Sequence, residues 1–160
     1  RIILAKTGEI KEGYADWDDK VIRIKEKWVL GDPSIIIHEM IHQLQFSLCG
    51  GSAYMRSDFE RNIEFEAYLI MDISMAEAWL KQGMIPDASK LHFLYGVDDT
   101  VLVMDYINFL CRVYERTISK EEFVSEFNRF AEKFEAYLGA EYSPSGTPSL
   151  IFSLWPFVWY

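Results

Sequence analysis

Short apolar runs near the start of the chain predict β-strands, and a change of period after residue 32 predicts helices. The strand-like runs cover residues 2–5, 13–17 and 21–24. Asp18 and Asp19 lie between the last two runs and suit a hairpin turn. The N-terminal part of the chain is therefore predicted to form a small sheet.

The remainder of the chain shows helical patterns with recognisable start signals. Asp32 is a suitable N-cap and Pro33 suits the first turn of a helix. Ser119 and Glu122 have the spacing of a capping box. The predicted helices cover about residues 34–48, 58–82, 86–95, 101–116 and 119–139. Residues 141–160 carry several prolines and aromatic residues, and we expect them to form an extended tail.

These elements predict an α+β fold, in which a small N-terminal β-sheet or hairpin packs on helix 34–48 and on several further helices. A length of 160 residues is typical of one domain, so residues 1–160 are expected to form a single unit. Half of the residues are hydrophobic and 16% are aromatic, which excludes a disordered chain.

Charge and hydropathy limit the classes of partner that the chain is expected to bind. The chain has 16 basic and 25 acidic residues, and its net charge of −9 disfavours nucleic-acid binding. No apolar run is long enough for a transmembrane segment. A removed signal peptide would leave no trace in a chain that begins with Arg1, so the compartment stays open with the cytoplasm slightly favoured. The oligomeric state stays open as well.

One motif indicates chemistry. Residues 38–42 read His-Glu-Met-Ile-His, which is H-E-x-x-H within a predicted helix. Residues four apart lie on one helix face, so His38 and His42 can bind one metal ion. Glu39 lies about 100° further round the helix, where it can act as a general base on a water molecule held by the metal. The competing interpretation is a pair of hydrogen-bonded core histidines that bind no metal.

A catalytic zinc usually has three protein ligands, and the third is not settled by the spacing. His92 is the only other histidine, and it lies fifty residues beyond His42, so a carboxylate is favoured. Glu64 and Glu66 on the next helix are about 200° apart, and only one of them can face the metal. Glu60 lies one turn before Glu64 on the same face and is the reserve candidate.

The H-E-x-x-H motif followed by Glu64-x-x-Ala67 resembles the zincin metallopeptidases, and in particular the gluzincin group. The order of strand, hairpin and two motif-bearing helices is similar to the compact ImmA/IrrE-type peptidases. The resemblance covers about residues 12–72. It implies that His38, His42 and Glu64 bind Zn²⁺, that Glu39 is catalytic, and that Ala67 lets the two helices approach closely.

The resemblance implies a zinc metallopeptidase that hydrolyses a protein or peptide substrate. One position departs from the pattern: Tyr68 stands where gluzincins often have an aspartate that orients a zinc-bound histidine, and the next aspartate is Asp72. This departure keeps an alternative open, namely an inactive zincin-like scaffold that binds a metal or a protein partner. Hydrolysis also needs a group that stabilises the developing oxyanion, and His92 and Tyr95 are candidates.

Overall fold

The computed structural model describes the backbone of three short strands and, with side chains, residues 32–49, 51, 60–134, 140 and 142–154. It divides into two compact units, Arg1–Ser57 and Asp58–Tyr160. The hairpin turn predicted at Asp18 and Asp19 lies outside the described residues, as do residues 58–59, 135–139 and 155–160 of predicted helices and tail.

The first unit contains three strands and one helix. The strands are β1 (Ile2–Ala5), β2 (Tyr14–Asp16) and β3 (Val21–Lys25). Strand β3 is central, parallel to β1 with Ile2 opposite Ile22 and antiparallel to β2 with Ala15 opposite Ile22. Helix α1 (Ser34–Cys49) contacts β2 and β3.

Helix α1 begins where the sequence predicts. The Asp32 carboxylate accepts hydrogen bonds from the Ser34 amide at 2.9 Å and from the Ser34 hydroxyl at 2.6 Å, which confirms its capping role. Helix α1 is buried on one face only. The face that carries His38 and His42 is buried, whereas the apolar stripe on another face is exposed, comprising Ile37, Met40, Leu44 and Leu48.

The second unit is built around one long helix. The helices are α2 (Glu60–Leu80), α3 (Thr100–Glu115), α4 (Lys120–Glu132) and α5 (Ser149–Leu154). Helix α2 contacts α3, α4 and α5. Phe65 of α2 is fully buried, and its ring centroid lies 5.3 to 5.9 Å from those of Phe93, Phe127 and Phe134. Buried aromatic pairs of this kind stabilise the unit beyond the area that they bury.

Side-chain caps set the starts of the helices in this unit. Asp99 caps α3 by accepting hydrogen bonds from the amides of Val101 and Leu102. Ser119 and Glu122 form the predicted capping box at α4, and these hydrogen bonds lower the pKa of Glu122. The helix predicted over residues 86–95 is only a 3-10 turn, Ala88–Lys90, because the next residue has an extended backbone.

The predicted α+β class is wrong. Of the residues described with their side chains, 69% are helical and none lies in a strand or a sheet. The three strands of the first unit are described as backbone and have 4, 3 and 5 residues. The apolar period is that of helices throughout the rest of the described chain, so the fold is predominantly helical. The tail expected to be extended is helical over Ser149–Leu154.

Within the described part of the chain, no helix combines the length and the apolar character needed to span a membrane.

Two buried asparagines hold the segment before α5. Asn62 donates to the carbonyl of Ser143 and accepts from its amide, at 3.0 and 2.9 Å, and it also donates to Asn128. Asn128 donates to the carbonyl of Gly146 at 2.9 Å. A methyl group added at Gly146 would lie 2.5 Å from Asn62 Nδ2, closer than atoms can approach.

We therefore predict that Gly146→Ala destabilises the chain by about 1–3 kcal/mol through overpacking. Asn62 is held by three hydrogen bonds and cannot move aside without breaking them. Urea unfolding of the wild type, Gly146→Ala, Asn62→Ala and the double variant measures the effect. The substitution should cost less in the Asn62→Ala background, and an additive double variant would contradict this account.

Candidate metal centre

His38 and His42 are brought together by one turn of α1. Their Nε2 atoms are 2.9 Å apart, and their rings meet edge to face with centroids at 4.5 Å. Both residues are buried, with 7% and 3% of their surface exposed. Two lone pairs at this distance repel each other, so a proton or a metal cation has to lie between the rings.

The pair suits a metal ion with little movement. Tetrahedral zinc with bonds of ~2.0–2.1 Å needs ligand nitrogens about 3.3 Å apart, slightly more than the present separation. Small rotations of the two rings about their χ angles supply this difference. The backbone spacing along α1 can therefore stay unchanged when a metal binds.

Gln45 orients one of the two rings. Its Oε1 accepts a hydrogen bond from His42 Nδ1 at 2.7 Å, and Gln45 is fully buried. Because an amide oxygen can only accept, His42 Nδ1 carries the proton and Nε2 keeps a lone pair for a metal. Metal-binding histidines almost always have such a partner on the other ring nitrogen. Gln45 was not predicted as a site residue, although a glutamine three positions after His42 in an apolar helix was the available signal in the sequence.

Glu64 of α2 joins the two histidines. One ligand atom from each of His38, His42 and Glu64 lies within 4.8 Å of the other two. The histidines are buried and the glutamate is half-buried. Two imidazoles and one carboxylate can hold a metal ion, and this ligand set suits zinc and several other first-row divalent metals.

The other glutamates named from the sequence lie elsewhere. Glu66 is fully buried in the second unit, where its Oε1 accepts a hydrogen bond from the Ile151 amide at 3.0 Å near the start of α5. Glu60 is the exposed first residue of α2. Glu39 is half-buried on α1, next to His38 and outside the three-residue group.

Tyr68, which stands where gluzincins often have an aspartate, and the next aspartate, Asp72, both have contacts within the second unit. Tyr68 packs its ring against His92 and Phe134, with centroids at 5.7 and 5.3 Å. Asp72 is buried and bonds to His92 and to the Tyr106 hydroxyl. Burial raises the pKa of Tyr106 well above its ordinary value, and the neighbouring carboxylate adds to this shift, so the phenol stays a protonated donor.

The two oxyanion candidates differ in their surroundings. His92 is mostly buried and bonded to Asp72, whereas Tyr95 is 89% exposed. A side chain in open solvent is poorly held for catalysis, so the structure disfavours Tyr95.

Comparison of the chain with protein-family models, with curated proteins and with solved structures found no match. The interpretation of the centre therefore depends on its own geometry.

Gln45→Ala is predicted to weaken zinc binding by about 10–100-fold, the usual effect of losing the partner that orients a ligand. Gln43→Ala on the same helix is the matched control and should bind zinc as the wild type does. Competition with a chromophoric chelator measures both affinities, and circular dichroism at saturating zinc checks the fold. Equal affinities for the two variants would show that Gln45 does not position His42.

Proposed function

We propose that the protein is a zinc-dependent peptidase in which His38, His42 and Glu64 hold the metal. The observation that carries the proposal is the gathering of these three side chains, with their ligand atoms within 4.8 Å of one another. Three protein ligands leave the fourth position of a tetrahedral ion open for chemistry, whereas structural zinc sites are usually closed by four.

The proposed reaction is the addition of water to a peptide bond. A bound zinc ion would act as a Lewis acid toward the attacking water and the substrate carbonyl. Glu39 takes a proton from the water while the oxygen of the water forms a bond to the carbonyl carbon. The carbon–nitrogen bond then breaks, and Glu39 passes the proton to the amine, so that a carboxylate and an amine are released.

The positions of the ligands support this division of roles. His38 and His42 share one face of α1, and Glu39 lies about 100° away from His38 on that helix. Glu39 is half-buried, so the residue is not closed off from solvent. The choice of peptides as substrates comes from the resemblance to zincin metallopeptidases, and the proposal depends on the ligand set and not on their fold.

A second candidate is a metal-binding scaffold without hydrolytic activity, which binds a protein partner. Tyr68 favours it, because this residue replaces an aspartate expected in active gluzincins and its ring packs against Phe134 and His92. Gln45 weakens this argument, since it supplies His42 with the orienting hydrogen bond that the aspartate would otherwise provide.

Glu64→Gln should lower zinc affinity more than the ~10–100-fold typical of losing an outer partner, because it replaces a charged ligand with a neutral amide. Glu60→Gln, one turn earlier on the same helix and exposed, should leave the affinity unchanged. Isothermal titration with zinc measures both variants. Weaker zinc binding by Glu60→Gln together with normal zinc binding by Glu64→Gln would show that Glu60, and not Glu64, is the third ligand.

Glu39→Gln is predicted to lower the rate of hydrolysis by orders of magnitude while zinc content and melting temperature stay near those of the wild type. The amide keeps the size of the side chain but cannot take up a proton at neutral pH. General-base assistance is worth about 10²–10⁴-fold in rate. Cleavage of a broad peptide library, followed by mass spectrometry, measures the loss. If the zinc-loaded wild type and the zinc-loaded Glu39→Gln variant cleave every peptide equally, the cleavage comes from a contaminant. That result would favour the metal-binding scaffold over the peptidase.

A further inference from the structure

The apolar stripe of α1 is the exposed face of that helix. Between 41% and 55% of the surface is open to solvent in each of its four members, which are Ile37, Met40, Leu44 and Leu48. Ser47, the other exposed residue of α1, is uncharged as well. The helix contains a single carboxylate, the half-buried Glu39, and neither lysine nor arginine. The outer face of a helix in water usually carries charged residues, so this uncharged apolar face is typical of an interaction surface.

The spacing of the stripe is almost the same in both directions along the helix. Its residues are three, four and four positions apart, so they follow one side of α1 for about 16 Å. When two such helices pair antiparallel, Ile37 can lie opposite Leu48, and Met40 opposite Leu44. The midpoints of these two pairs differ by only about 0.75 Å along the axis. The stripe is therefore complementary to itself about a two-fold axis, as the interface of a symmetric dimer has to be.

Charge also favours a second copy of the chain as the occupant of this surface. The chain has a net charge of −9, so most encounters between two copies oppose like charges. On the stripe, two copies can meet without opposing any charged side chain. An anionic membrane fits less well, because helices that lie on such membranes are usually rich in lysine and arginine, and α1 has neither.

The size of the stripe sets the expected strength of the contact. Helix α1 has 16 residues, so it is about 24 Å long and about 10 Å wide. One of its faces is therefore smaller than the ~800 Å² that each partner buries in a standard interface. We expect reversible association that depends on concentration, and not a permanent dimer.

We propose that the apolar stripe of α1 binds the same stripe of a second copy of this chain, in a symmetric and antiparallel pair of helices. Each Met40 packs against the Leu44 of the other copy, and each Ile37 against its Leu48. The inference does not depend on the proposed peptidase function, because His38 and His42 project from the buried side of α1.

Sedimentation equilibrium of the full chain over a wide range of concentrations tests the association. The wild type should shift reversibly from monomer to dimer as its concentration rises. Met40→Glu should raise the dissociation constant at least about ten-fold, because a carboxylate buried in the interface has no partner. Met104→Glu is the matched control, since it makes the same substitution at a residue of α3 that is 61% exposed. It should associate as the wild type does, and circular dichroism checks the fold of both variants.

A charge pair placed across the interface tests the antiparallel register. Leu44→Lys alone should weaken association, as Met40→Glu does. An equimolar mixture of the two variant chains should form a heterodimer, because position 40 of one copy lies opposite position 44 of the other and the opposite charges attract. A mixture that associates no better than either variant alone would overturn the antiparallel pairing.

The inference is overturned by a wild type that stays monomeric at every concentration, or by a dimer that Met40→Glu leaves unchanged. Two measurements on a monomeric chain identify the true occupant of the stripe. Binding of the wild type, but not of Met40→Glu, to vesicles of phosphatidylcholine and phosphatidylserine would assign the stripe to a membrane. A lower melting temperature for Met40→Glu, but not for Met104→Glu, would show that the chain's own residues cover it.

Discussion

The burial of two imidazole rings on one face of α1 is the constraint on which the candidate centre depends. Nitrogen atoms removed from water have to find hydrogen bonds or a metal, and here the two Nε2 atoms lie 2.9 Å apart. Gln45 satisfies His42 Nδ1 and so directs the remaining lone pair toward His38. A proton shared by the two Nε2 atoms would also satisfy this pair, so the feature that suits the group to a metal ion is the carboxylate of Glu64, whose ligand atom lies within 4.8 Å of those of both histidines.

Successive residues of α2 project about 100° apart around the helix, so its polar side chains reach different surroundings and have three different roles. Glu64 joins the histidines in the metal group, whereas Glu66, two residues later, holds the start of α5 from the opposite side. Asn62 binds the segment that precedes α5. Asp72 orders His92 and Tyr106. One helix thus supplies a candidate metal ligand, a structural clasp and a buried anchor for His92 and Tyr106.

Local signals were predictable from the sequence, and long-range ones were not. The cap at Asp32 and the box formed by Ser119 and Glu122 depend on residues within one turn, and the spacing of His38 and His42 predicted the candidate metal-binding face. Asp72 meets partners 20 and 34 residues away, so its role depends on packing that no local pattern reveals. The prediction of an α+β fold was wrong because the apolar runs near the start of the chain form strands of only 4, 3 and 5 residues, whereas 69% of the residues described with side chains are helical.

The most direct test of the account is a zinc-soaked crystal examined by anomalous diffraction on both sides of the zinc absorption edge. The account predicts one strong peak per chain, about 2.0–2.2 Å from one nitrogen each of His38 and His42 and from one oxygen of Glu64. A peak bound by other residues, or no peak at saturating zinc while the two histidines stay hydrogen-bonded to each other, would contradict it.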